Sequence, residues 1–419
     1  MRILHVLRTL DPAWGGPVEG ARNLTGRALA RGYRVEVVCL DDAQSPWLLS
    51  WRPTVHALGR AKSTYGFTNK LDRWLIANIR RFDAVVVHGI WMYFSYAVWK
   101  VTRKAGVPYF LFIHGALDPW FKTRYPLKNW KKIAYWILIE NRIMRDANAA
   151  LFTTEEEKRL AHNAFFPYNC NPAVIGYGIV KPITVDSFDS EAFTRELTAS
   201  HPVLRNRTFL LFLARIHEKK GIDLLLKAFA ASRNALADTA IVVAGPGSHE
   251  NIASFANLAA SLGIAGDVVP VGPVYGEKKY ALMRAADAYV LPSHQENFGI
   301  SIVEALACGT PVLISNKVNI WREIQAANAG LVDDDDIEGT TRLLQNWAAL
   351  PSEYKLAMRS NAKRCFEENF DIAVTSDRFF DVLFAGCVQP FIAIQSEKGR
   401  HMTCLENKTT HSGIGPDRQ

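Results

Sequence analysis

The densest cluster of chemically useful side chains lies at 291–312. There Glu296-Asn297-Phe298-Gly299 leads into Ile300-Ser301-Ile302-Val303-Glu304, and the segment ends on Cys308-Gly309-Thr310-Pro311-Val312. An apolar run closing at Leu291 reads as a strand, the residues up to Phe298 as a loop, and a helix is expected from about Gly299. Glu296 is then on the loop and Glu304 one to two turns into the helix, both facing the same cleft. Between them lie the amides of Gly299, Ile300 and Ser301. Free amides at a helix start attract anions such as a diphosphate. Two carboxylates beside phosphates make sense if each accepts hydrogen bonds from hydroxyl groups on either side of them. A helix cap at Glu296 and a solvated position at Glu304 fit the same residues.

A second cluster, Phe212-Leu213-Ala214-Arg215-Ile216-His217-Glu218-Lys219-Lys220-Gly221, follows another apolar run and precedes a helical pattern. Arg215 and Lys220 lie on that turn at a spacing that lets both cations converge on one phosphate pair, although a surface charge run has the same composition. With these motifs the chain resembles family 4 of the retaining glycosyltransferases, the glycosyl transferases group 1, over roughly residues 1–385. The resemblance implies an α/β fold of GT-B architecture, two Rossmann-like domains with parallel sheets facing a central cleft. It also implies a nucleotide-sugar donor held in the C-terminal half as co-substrate, with no cofactor and no metal. Arg215, Lys220 and the amides after Phe298 would grip the diphosphate, Glu304 the ribose, and Glu296 the transferred sugar. In the family the His matching His114 contacts the donor sugar near the anomeric carbon, so His114 and Glu296 are the catalytic candidates. The loop of Gly245, which on its own residues reads as a plain strand-to-helix turn, lies in that family near the nucleotide base or its surroundings. Retention of configuration, with attack on the face the phosphate leaves, is implied by the resemblance alone.

Other positions are less specific. Gly15-Gly16-Pro17 after the first apolar run precedes a helix and could approach the donor phosphates from the opposite side, or simply make a tight turn. His114-Gly115 closes an apolar strand, where a buried structural histidine is the alternative. His88-Gly89 repeats that pattern, and with Asp118 it is an acceptor-side candidate; Asp118 equally fits a turn cap. Asp333–Asp336 reads as a helix start rather than a metal site. The segment 120–136 mixes Lys122, Arg124, Lys128, Lys131 and Lys132 with aromatics, which suits an anionic membrane surface or an amphipathic helix with a basic face.

The elements that must place these residues follow from the pattern. Short apolar runs at 3–7, 35–40, 84–87, 109–113, 149–152 and 173–175 alternate with amphipathic stretches. The alternation resumes at 209–213, 240–243, 268–271, 288–291 and 312–314. Strand-helix alternation with runs buried on both faces indicates parallel sheets. Residues 1–185 then form an acceptor-side domain, 186–206 an irregular linker and 207–388 the donor-binding domain. The last helix, about 372–386, returns to the N-terminal domain, and 389–419 is a polar, disordered tail. Six scattered cysteines lack zinc spacing and read as reduced thiols. Met1–Leu7 reads as a strand rather than a signal peptide, and no run reaches the ~18 apolar residues of a membrane span. The expected location is the cytoplasm, with a peripheral contact at the inner membrane face.

Residues 1–181 hold 26 Lys and Arg against 13 Asp and Glu, and the rest of the chain reverses that balance. The basic half points to an anionic partner, and no nucleic-acid-binding motif accompanies it. The expected activity is transfer of a hexose-type sugar to a hydroxyl of a saccharide or lipid-linked acceptor in polysaccharide or glycolipid assembly. The alternatives are a nucleotide-sugar epimerase or hydrolase of the same architecture, and a non-catalytic carbohydrate-binding scaffold.

Overall fold

A computed structural model describes residues 1–61, 63–119, 126–182 and 188–388, without the side chains of 126–129. Seven parallel strands form the first sheet: β1 (Arg2–Val6), β2 (Arg34–Cys39), β3 (Thr54–Ala57), β4 (Ala84–His88), β5 (Tyr109–Phe112), β6 (Ala149–Phe152) and β7 (Pro172–Val174). Six form the second: β8 (Thr208–Leu213), β9 (Thr239–Ala244), β10 (Val268–Gly272), β11 (Ala288–Leu291), β12 (Val312–Ser315) and β13 (Gly330–Asp333). The strand orders are β3-β2-β1-β4-β5-β6-β7 and β10-β9-β8-β11-β12-β13. Both are doubly wound, so β1/β4 and β8/β11 are the points where the winding reverses and ligands lodge. The chain therefore has the expected α/β architecture of two Rossmann-like domains. The apolar runs expected as strands match β-elements to within a residue or two. Edge strand β3 is missed because Thr54-Val55-His56-Ala57 is short and only half-buried.

Residues 186–206 were expected to be irregular, and among those described Ser190–Ser200 is helical. Asp189 caps it, its carboxylate accepting from the Ala192 amide at 2.8 Å, and Leu197 and Leu204 join the second core. The N-cap and two buried leucines outweigh a polar composition that has no strong period. The expected tail lies outside the described residues.

The helix Ile372–Val388 crosses back to the first half. Its Phe379, Phe380 and Leu383 are fully buried among Ile3, Val86, Phe110 and Phe112. Full burial of such side chains contributes about 1.5–3 kcal/mol each. The two crossing segments touch: the Ile179 amide donates to the Phe370 carbonyl at 3.0 Å, and the Ile372 amide to the Ile179 carbonyl at 3.0 Å. Cys39, Cys170, Cys308, Cys365 and Cys387 are all free.

Glu140 closes a π-turn, Trp136–Glu140, and is fully buried. One carboxylate oxygen accepts from the Trp91 amide at 3.2 Å and the other has no partner. Desolvation pushes its pKa from 4.5 up to about 8, against the opposing effect of the Trp91 hydrogen bond. Between those values the folded chain holds a proton the unfolded chain has released, so this group's contribution to stability falls as pH rises. Glu140→Gln should therefore gain melting temperature relative to wild type as pH rises from about 5 to about 8. Parallel melting curves across that window would show no divergence if Glu140 is ionised in the fold.

Candidate functional site

The two sheets point their carboxyl edges at a cleft of about 520 Å³. From the second half, β8 delivers Arg215 and Lys220, β11 delivers the loop of Glu296, and the helix Ile300–Ala307 delivers Glu304. Gly221 makes this convergence possible. Its φ is +67°, and a Cβ there would lie 2.0 Å from the Pro292 carbonyl oxygen. Only glycine lets the Lys220 turn press against the loop of Glu296. Gly299 enters the helix at φ +77°, and no side chain caps it. The first amides of that helix have no side-chain partner, the arrangement that suits an anion, in a wall also lined by Ser301.

Both glutamates of the cleft are paired with lysines. Lys220 bonds Glu296, each less than one-fifth exposed. Lys279 bonds Glu304 at 2.5 Å, and the Tyr280 hydroxyl reaches the same oxygen at 3.4 Å. Arg215 is exposed at the rim and makes no ion pair among the described residues. The lysines neutralise the glutamates, so the net positive field comes from Arg215 and the helix start.

The first half supplies Gly16, His114, Thr153 and Tyr177. His114 adopts φ +50°, and burial lowers its pKa to about 3, so it is neutral. Behind it Glu157 is buried and accepts from the Gly115 amide at 2.5 Å and from the Thr153 amide and hydroxyl at 2.6 Å each. Thr153 in turn accepts from Asn297 Nδ2 at 3.2 Å, across the cleft. Gln295 Nε2 donates to Asp118 at 2.8 Å, and Arg322 pairs with Glu156 at 3.2 Å, also across it. The Tyr177 hydroxyl donates to the Gly16 carbonyl.

Gly16, His114, Arg215, Lys220, Gly245, Glu296, Asn297, Phe298, Gly299, Ile300, Ser301 and Glu304 thus share one cleft lining. Three expected residues do not reach that lining. Gly15 is the exposed N-cap of the helix Gly16–Ala30. His88 is buried behind His114, its nitrogens taken by His5 and His114, because it is still within β4. Asp118 faces Gln295. Sequence reasoning missed Lys279, Tyr177, Thr153 and Glu157. Lys279 had a usable signal, since it opens the helix after β10; Tyr177 and Glu157 had none beyond their place after a strand.

Asp336 caps the helix Ile337–Ala349, accepting from the Gly339 amide at 2.6 Å, while Asp333 pairs with Arg342 and Asp335 with His294. Of the basic segment, Lys122 and Arg124 and the side chain of Lys128 lie outside the described residues. Lys131 is exposed, but Lys132 is half-buried, its ammonium 5.0 Å from the centre of the Trp91 ring. The described residues hold no group of three His, Cys, Asp or Glu arranged for a metal ion. None of their helices is long and apolar enough to cross a membrane.

The family model for the glycosyl transferase 4-like domain matches residues 15–178, and that for glycosyl transferases group 1 matches residues 194–364. The chain belongs to the group 1 glycosyltransferases. It is 32% identical over 176 residues to a D-inositol 3-phosphate glycosyltransferase of Rhodococcus opacus, covering 41% of this chain and 39% of that one. The chain thus spans well under half the length of this curated relative. Among solved structures, a glycosyltransferase of Rickettsia africae superposes with a TM-score of 0.73 at 15% identity, over 92% of this group 1 member and 98% of that chain. HepE of Anabaena, in complex with UDP and glucose, gives 0.71 at 16% identity over 92% and 100%. These likenesses establish the GT-B fold.

Gly115 has φ +72°, and a Cβ on it would meet the Asn297 side chain at 2.7 Å. Gly115→Ala should cost about 1–2 kcal/mol in backbone strain and push the Asn297 loop off the first half. Small-angle scattering should then give a larger radius of gyration than wild type; an unchanged radius would mean that this contact does not set the separation.

Proposed function

We propose that the chain transfers a sugar from a nucleoside-diphosphate donor to an acceptor hydroxyl, with retention of configuration. One observation carries the reading: two lysine-paired glutamates flank an uncapped helix N-terminus inside one cleft, with Arg215 at its rim. That set offers hydroxyl acceptors and phosphate donors together. Glu304 would hold the ribose and Glu296 the sugar. Lys220, Arg215 and the amides from Gly299 onward would take up the negative charge that grows on the diphosphate as the glycosidic bond breaks. Lys279, beside Glu304, joins that clamp. His114, neutral, would touch the sugar from the other half.

The acceptor hydroxyl would attack on the face the phosphate leaves, a phosphate oxygen taking its proton. Closure over the cleft would keep water from the donor. A structural neighbour binds UDP and glucose and the curated relatives carry inositol phosphate in their names, so UDP-hexoses and phosphorylated polyols are the first compounds to try.

A thermal-shift screen of UDP, GDP and ADP sugars should single out one nucleotide, and a transfer assay with saccharide and lipid-linked acceptors should follow. Glu296→Gln and Lys220→Ala should each lower kcat by roughly 10²–10³-fold while the protein stays folded. Full activity in folded Glu296→Gln would refute the assignment. Donor breakdown at the same rate without acceptor would favour the hydrolase or epimerase reading.

A cytoplasmic site with a peripheral membrane contact fits the segment Pro126–Glu140. Trp130, Ile137 and Leu138 are 74%, 51% and 63% exposed beside the exposed Lys131. Apolar side chains next to cations suit the headgroup layer of an anionic bilayer. Co-sedimentation with vesicles containing phosphatidylglycerol should retain wild type and lose Trp130→Ala/Leu138→Asp, whereas equal binding to neutral vesicles would remove the charge argument.

A further inference from the structure

Three histidines stand in a row from the heart of the first sheet to the cleft wall. β1, β4 and β5 are neighbours, and they carry His5, His88 and, just beyond the end of β5, His114. His5 Nδ1 lies 2.9 Å from His88 Nε2, and His88 Nδ1 lies 3.3 Å from His114 Nε2. Phe112 stacks on both His88 and His114 at 4.9 Å, which fixes the ring planes. His114 lines the cleft, so Nδ1 is the nitrogen left for a ligand.

All three rings are neutral. Burial takes His5 and His114 to about 3, and His88 is lowered by burial and by its two neighbours. A neutral imidazole has one donor and one acceptor. Two bonds in series must then run the same way, since any other order sets two N–H groups or two lone pairs against each other. Two directions remain, and they differ at the buried end. There His5 Nε2 has no partner, and the ring packs near Phe379 with centroids 6.4 Å apart. Buried N–H groups without partners are rarer in proteins than acceptors with a lone pair unused. The proton therefore belongs on His5 Nδ1. His5 donates to His88, His88 donates to His114, and His114 is left with its proton on Nδ1.

We propose that His5 and His88 are positioning residues that hold His114 as the Nδ1–H tautomer, making it a hydrogen-bond donor to a ligand oxygen in the cleft and not a base. The role in turnover rests on the function proposed above; the tautomer does not.

The test uses the full chain labelled with ¹⁵N-histidine and read by long-range ¹H–¹⁵N correlation at pH 7, with His114 assigned by loss of its signals in His114→Gln. The expected spectrum shows His114 neutral and protonated at Nδ1. His88→Phe, which keeps the ring volume and removes the hydrogen-bond partner of His114 Nε2, should change the His114 tautomer signals and lower kcat by about tenfold, with the donor KM little changed. An Nε2–H or doubly protonated His114 in wild type overturns the proposal, whether or not the variants fold. So does a His88→Phe variant with the His114 signals unmoved. The expected tautomer in a protein that transfers no sugar would uphold the chain of donors and refute the proposed function instead.

Discussion

Two hydrogen bonds across the cleft, Gln295 to Asp118 and Asn297 to Thr153, bracket Glu296 and tie its loop to the opposite half. Neither involves Glu296 itself. Its place relative to His114 is nonetheless set by them, because one sits on each side of it in the chain. Their strength comes from what lies behind them. Thr153 is held by a buried Glu157, and that same carboxylate holds Gly115 next to His114. One carboxylate thus links the histidine turn of the first half to the glutamate loop of the second. Burial raises its pKa, while the bonds from Thr153 and Gly115 act in the opposite direction.

The second half answers a different problem, how to receive an anion next to two acids. Each glutamate has a lysine, and the net attraction is left to backbone amides and Arg215. Largely buried ion pairs of this kind add little to stability, since desolvation offsets much of their attraction. Their value is geometric: they fix carboxylates and ammonium groups where a ligand with both hydroxyls and phosphates would meet them.

Much of this was legible in the chain because parallel sheets leave a plain signature. Continuous apolar runs such as Phe209–Leu213 and Val85–Val87 are buried on both faces, and site residues follow directly after them. The Glu296 and Glu304 cluster, Arg215, Lys220 and His114 were found that way. What stayed hidden depends on the third dimension. His88 and His114 share the same local pattern, a histidine at a strand end before glycine. Only the two-residue difference in where β4 and β5 stop turns one into the core and the other into the cleft. The bonds of Lys279 to Glu304 and of Glu157 to Gly115 join residues far apart in sequence, and no local period reports such pairs. The helix Ser190–Ser200 was missed because its buried contacts are few.

The chain passes between the halves twice, near Ile179 and near Phe370, and these two passages are hydrogen-bonded to each other. Paired straps at one edge behave as the pin of a door: they leave swinging about that edge and resist sliding or separation. They also make the halves interdependent as folding units. A fragment ending before Ile372 would leave the groove for Phe379, Phe380 and Leu383 open to water. A fragment beginning at β8 would carry those three side chains with nothing to cover them. The boundary that looks natural along the sequence is therefore not a place where this molecule can be divided.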